Sequence, residues 1–201
     1  MLELAILGLL RESPMHGYEL RKRLVPLLGG LRAFSYGSLY PALKRMKSQG
    51  WISAQAPVGD SKRLPADAPA LTGKRGKVVY ALTAEGKEHF QQLLAEGGPE
   101  AWDDERFGVH FAFFAQTDAA VRLRILEGRR RRVEERRDGL RASLARTRER
   151  LDRYTRELQQ HGLESVDREV RWLSELIDSE RTPEDGVPRS GAVRRDENTT
   201  D

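Results

Sequence analysis

Hydrophobic and polar positions alternate along this chain in blocks that name their own elements. Leu2 to Leu10 reads as a short apolar helix, and Ser13-Pro14 stops it, because proline cannot continue the backbone ladder and turns the preceding residue away from helix. A second helix is predicted from about Met15 to Leu28, with Tyr18, Leu20 and Leu24 near one face, ended by Gly29-Gly30. Ser35 is placed to cap a third, Tyr36 to Ser48. There Leu39, Leu43 and Met46 recur at spacings of four and three and form one buried stripe. Tyr36, Ser38, Tyr40, Lys44, Arg45 and Lys47 must then occupy the remaining faces. Gly50 ends this helix, Trp51-Ile52 begin a strand, and Lys77 to Leu82 alternates as a second strand. Thr83 caps a fourth helix that runs to about Ala95.

Three helices followed by a two-stranded hairpin is the order of a winged helix-turn-helix. In that arrangement the third helix enters the DNA major groove and the hairpin is the wing. The connection between the strands, 55–76, is long for a tight hairpin. It carries Lys62, Arg63, Lys74 and Arg75, with Lys77 at the strand edge. It reads either as a solvated loop or as a basic arm that follows the phosphate backbone or enters the minor groove.

The pattern changes after Gly97-Gly98-Pro99. Phe107, Phe111, Phe113 and Phe114 fall in a predicted helix from Asp104 to Gln116. Asp118 is predicted to cap a long helix to about His161, with Gly128 and Gly139 weakening its continuity. Leu123, Leu144, Leu151 and Leu158 supply one position of a heptad, and Leu126, Val133, Leu140, Thr147 and Tyr154 the other. Arg130 and Arg137 interrupt that seam. The charge run Arg129 to Asp138 reads as a solvated face. A last helix, Leu163 to Ser179, carries Leu163, Val166, Val170, Leu173 and Ile177 on one stripe, with Trp172 and Leu176 beside it. Both stripes need partners, and pairing across a twofold axis would bury them. The expected organisation is a winged-helix domain at 1–97, a helical, coiled-coil-like dimerisation domain at 98–180 and a disordered tail at 181–201. The fold class is mainly α with a small β-hairpin wing.

Charge sharpens this picture. The chain has 201 residues and a net charge of +4. Arg11 to Lys77 holds 13 Lys/Arg against 4 Asp/Glu, and the rest holds 22 against 27. The first half is therefore basic and the remainder acidic, which suits a polyanionic partner at the first end, with a merely soluble surface as the alternative. With no cysteine, disulfides and thiolate metal sites are excluded. His16, His89, His110 and His161 show no metal-ligand spacing. No nucleophile elbow, phosphate-binding glycine loop or HExxH string occurs, so neither an enzyme nor a cofactor is expected. The start MLELAILGLL is too short to span a bilayer and lacks a basic leader, so the expectation is a soluble, cytoplasmic protein without a membrane partner.

The stretches LAILGLLRESPMHGYEL, SYGSLYPALKRMKSQGWI and VVYALTAEGK resemble the PadR family of bacterial transcriptional regulators, over roughly residues 2 to 90. The second half is similar to the helical dimerisation region of the group with the longer C-terminal domain. The resemblance implies a homodimer that represses, or sometimes activates, promoters by binding an inverted repeat in double-stranded DNA, and that responds to small phenolic or drug-like effectors. It places Tyr18, Tyr36, Gly37, Ser38, Tyr40 and Lys44 where the family contacts DNA, mostly the backbone. It places Leu39, Leu43 and Trp51 in the core. The long proline-bearing wing connection departs from the short family wing. From the residues themselves, Tyr36 and Tyr40 are candidates for phosphate contact, and Lys44, Arg45 and Lys47 add charge to the same helix. Trp102, Phe107, Phe111, Phe114 and Trp172 are candidates for an effector pocket or for interdomain or dimer core. A different reading keeps the winged helix as a scaffold for protein interaction.

Overall fold

The computed structural model describes residues 1–28, 36–55, 78–147 and 152–182. Helix α1, Leu2–Glu12, is the centre of the first half: every position from Leu4 to Leu10 is buried, as befits a helix apolar on all sides. Ser13 is fully extended, and the chain continues into a two-residue strand β1, Met15–His16, before α2, Gly17–Leu27. Leu20 and Leu24 of α2 face the core, whereas Tyr18 points outward. Gly29, Gly30 and Ser35 lie outside the described residues.

Helix α3, Tyr36–Ser48, has the predicted bounds, and Leu39, Ala42, Leu43 and Met46 form its buried face. It ends on Gly50, whose φ of 76° is left-handed. The Gly50 amide donates to the Lys47 carbonyl (3.1 Å) and the Trp51 amide to the Met46 carbonyl (3.0 Å). These are the two bonds of a Schellman ending. Strand β2 is Ile52–Gln55, β3 is Val79–Leu82, and α4 is Ala84–Ala95. Thr83 caps α4 by accepting from the Gly86 amide, and its hydroxyl also donates to the Gly50 carbonyl (2.6 Å).

The sheet has three strands rather than the expected two, in the order β1-β3-β2 and antiparallel throughout. Met15 pairs with Tyr80 and His16 with Val79. Two residues are too few to show a period of two, so β1 was hidden in the predicted start of α2.

Beyond a short 3-10 turn at Pro99–Trp102, the expected aromatic helix is broken. The Asp103 carboxylate accepts from the amides of Glu105 and Arg106, which delays the start of α5 to Phe107. Helix α5, Phe107–Ala112, ends at Phe113, and a 3-10 turn at Phe114–Gln116 follows. Phe113 leaves the helix because its ring enters the first core, beside Phe90 and against Gly8.

The predicted long helix is also two. Helix α6 is Ala119–Thr147 and α7 is Arg153–Arg181. Asp152 begins α7 by accepting from the amides of Tyr154 (2.9 Å) and Thr155 (3.1 Å). The two helices run antiparallel, with Arg122 bonded to Glu180 and Arg129 to Glu169. The two apolar stripes therefore bury each other within one chain. Ile125, Leu126 and Val133 of α6 meet Val166, Val170, Leu173 and Ile177 of α7. The predicted heptad seam is buried only at Leu126 and Val133; Leu140, Tyr154 and Leu158 are exposed. Leu151 and the Thr147 side chain lie outside the described residues, as does nearly all of the predicted tail.

The charge run of α6 needs one further correction. Arg129 is only 7% exposed, held by Asp104 (2.5 Å) and Glu169 (2.6 Å) with its guanidinium 5.2 Å from the Phe107 ring centre. Gly128 sits beneath the Trp102 ring, where a Cβ would overlap it, and the helix is continuous through it.

Candidate nucleic-acid interface

Burial of Leu39, Leu43 and Met46 turns the opposite side of α3 to solvent, and with it Ser38, Tyr40, Lys44 and Lys47. Tyr40 is 46% exposed. Its ring lies over Gly17 at the start of α2, where the absent side chain leaves room for it: a Cβ there would stand 3.3 Å from the hydroxyl. Tyr18, 67% exposed, stands on the next residue of that helix.

Between α3 and the sheet runs a groove of about 370 Å³. Tyr40, Lys44 and Lys47 line its α3 side, and Ala54, Val78 and Tyr80 its strand side. No acidic residue lines it among the described residues. Burial, and then the neighbouring Tyr40, raise the Tyr80 phenol above its ordinary value. The phenol therefore stays a neutral donor at physiological pH. A strip of hydroxyls and ammonium groups over an apolar floor suits a sugar-phosphate strand: the cations neutralise phosphates and the hydroxyls fix register.

Arg45 does not join this strip. It is turned toward α1 and pairs with Glu3 (3.5 Å). Glu3 also bonds His89 (2.7 Å), and the His89 ring stacks on Trp51 at 3.7 Å. Trp51 is thus half-buried packing at the root of β2. His16, read as a capping or packing residue, lies 3.3 Å from the Val78 carbonyl through Nδ1 and makes no side-chain cap. The side chains of Tyr36 and Gly37, and all of Lys62, Arg63, Lys74, Arg75 and Lys77, lie outside the described residues. Tyr80 and Val78 were not singled out from the sequence. Their alternation marked a strand, but which helix that strand faces is a long-range fact.

The five aromatic candidates for an effector pocket divide. Phe107, Phe111, Phe114 and Trp172 form one group, with ring centres 4.9 to 6.2 Å apart, and Trp172 is 39% exposed. Trp102 stands apart over Gly128, at the edge of an open depression of about 710 Å³ lined by charged residues of α6.

Residues 6–65 match the family described as the transcriptional regulator PadR-like family. The match lies within the winged-helix half of the chain. That family consists of transcriptional regulators, not enzymes. A curated relative, the negative transcriptional regulator PadR of Bacillus subtilis, is 27% identical over 99 residues, which are 49% of this chain and 48% of that protein. The chain thus spans about half the length of the curated relative it matches. Among solved structures, Bacillus subtilis PadR in complex with operator DNA is 21% identical, covering 89% of this chain and 98% of that one with a TM-score of 0.40. The same protein in complex with p-coumaric acid is 20% identical, covering 90% and 99%, with a TM-score of 0.39. Among the described residues, no helix is long and apolar enough to cross a membrane, and no group of His, Asp and Glu is placed to hold a metal ion.

Proposed function

We propose that the chain is a DNA-binding transcriptional regulator, a homodimeric repressor that reads an inverted-repeat operator with α3 and is tuned by a small molecule. The carrying observation is the acid-free strip of Ser38, Tyr40, Lys44 and Lys47 on a helix whose other face is locked in the core. The family match at residues 6–65 and the curated relative's name, a negative transcriptional regulator, support the regulatory direction.

The dimer is argued from the exposed apolar side chains of the α6–α7 hairpin: Tyr154 and Leu158 are 82% and 70% exposed, and Leu140 is exposed too. Exposed apolar side chains along one hairpin favour a second copy. The two α3 helices then enter successive major grooves about 34 Å apart. The half-exposed group around Trp172 supports an aromatic or apolar effector.

Fluorescence anisotropy with the DNA upstream of the gene tests the central reading. Binding weakens steeply with salt, and Tyr40→Ala with Lys44→Ala lowers affinity at least about tenfold while leaving the fold intact. Failure of the protein to select any duplex from a genomic pool would refute it. Retained regulation by the double variant would favour the protein-interaction scaffold instead.

A further inference from the structure

The segment from Asp104 to Thr117 belongs to both halves of the molecule. On one side it is fastened to the hairpin at each end. Asp104 is held by Arg129 and Arg136. Phe107 and Phe111 pack against Trp172 of α7. At the far end the carbonyls of Phe114 and Thr117 accept from Arg122, whose guanidinium also forms a two-pronged bond with Glu180 at 2.7 and 2.8 Å. This segment therefore moves with α6 and α7.

On its other side the same segment sends Val109 and Phe113 into the winged-helix core. The Phe113 ring meets Phe90 edge-on at 5.6 Å and fills the place where residue 8 would carry a Cβ. Glycine in the middle of a helix is disfavoured relative to alanine. Gly8 sits in the middle of α1, and the ring is what its bareness admits.

We infer that the Phe113–Gly8 contact sets how the winged-helix half stands on the hairpin, making Phe113 a positioning residue that determines which half-site spacing the dimer accepts. The inference rests on the DNA-reading dimer proposed above. With firm bodies on both sides, the ring fixes the distance and tilt between them. A twofold axis then doubles any tilt at the two α3 helices.

The test is a selection from duplexes carrying two half-sites at varied separation, with the full chain. The wild type prefers one separation. Phe113→Leu keeps its affinity for a single half-site but loses that preference, the penalty for one base pair of misplacement falling about fivefold. Gly8→Ala combined with Phe113→Leu refills the contact and restores a single optimum. Ile52→Val, a change in the same core remote from α5, leaves the optimum alone. An unchanged optimum and sharpness in Phe113→Leu overturns the inference. If the wild type binds no duplex, the DNA reading fails, and thermal unfolding judges the contact itself. Trp51 reports on the first half, and Trp102 and Trp172 report on the second. Coincident transitions in the wild type that separate in Phe113→Ala support the coupling, and transitions that stay coincident refute it.

Discussion

The two halves are held together by different physics. The winged-helix half gathers α1, α2, α3, α4 and the sheet around side chains that are almost wholly apolar and fully enclosed, among them Ile6, Leu7, Leu20, Leu43 and Phe90. The hairpin has one apolar strip between two helices, flanked along its length by arginine–carboxylate pairs: Arg122 with Glu180, Arg129 with Asp104 and Glu169, Arg141 with Asp167. A layer of two helices cannot surround a side chain as five elements can, so its stability leans on ion pairs whose worth depends on solvent and salt. The proposed reading face belongs to the half that leans least on such pairs.

Equal deletions should expose the contrast. Leu20→Ala in the first core is expected to cost about 3–5 kcal/mol, against about 2–3 kcal/mol for Leu173→Ala, where the thin layer collapses more readily into the gap. Denaturant unfolding of the two variants compares them, and equal or reversed losses would remove the distinction. Next in size, Arg129→Met should cost about 2–3 kcal/mol, below the figure for a wholly buried pair because Asp104 and Glu169 keep some water. The variant should also unfold with a weaker salt dependence than the wild type; a variant as salt-sensitive as its parent would argue that the outer pairs dominate. Thr83→Ala should cost about 1 kcal/mol, the usual loss of a helix cap, and be felt in the first half alone. Amide exchange checks it: faster exchange confined to α4 and the root of the wing is the expected pattern.

The smallest effect is one of pH. Burial, then the positive charges of the Met1 amino group and Arg106, hold the His110 imidazole below its ordinary range, with Asp103 opposing. The unfolded chain therefore takes up this proton first, near pH 6.5. Stability from His110 is complete above about pH 6.5 and declines as pH falls through the lower folded value. Asp104 acts in a more acidic window. Burial alone would raise its carboxyl, but the bonds and charges of Arg129 and Arg136 outweigh this and lower it. Its contribution is present above about pH 4 and lost on further acidification. Calorimetry should show two successive declines in Tm, the upper one absent in His110→Gln. An upper decline that survives the substitution would assign it elsewhere.

The contrast also decides what the sequence could tell. In the first half the spacing of Leu39, Leu43 and Met46, the glycine at 50 and the threonine at 83 each act within one turn of chain, and the elements follow them. In the second half the signals were long-range. The heptad spacing runs unbroken past Asp152, although that residue caps a new helix. Arg129 looks like any other arginine of its run, and only the approach of Asp104 and Glu169 makes it a buried residue. Arg45 could be placed on α3 but not known to turn toward Glu3. Tyr40 and Lys44 were legible because they follow from the buried stripe by subtraction, whereas Tyr80 was not, because its place opposite them is a matter of strand register.

The bonds that join Gly50, Trp51 and Thr83 have an evolutionary meaning. The Thr83 amide donates to the Trp51 carbonyl (3.1 Å) while its hydroxyl donates to the Gly50 carbonyl, so the exit of α3 is stitched to the entrance of α4. The β2–β3 register is closed at the same knot. Lengthening the chain between Gln55 and Val79 costs closure entropy that grows only with the logarithm of its length. Descendants of this gene can therefore lengthen, shorten or rewrite the wing connection while α3, the proposed reading helix, keeps its posture, which leaves that connection free to diversify.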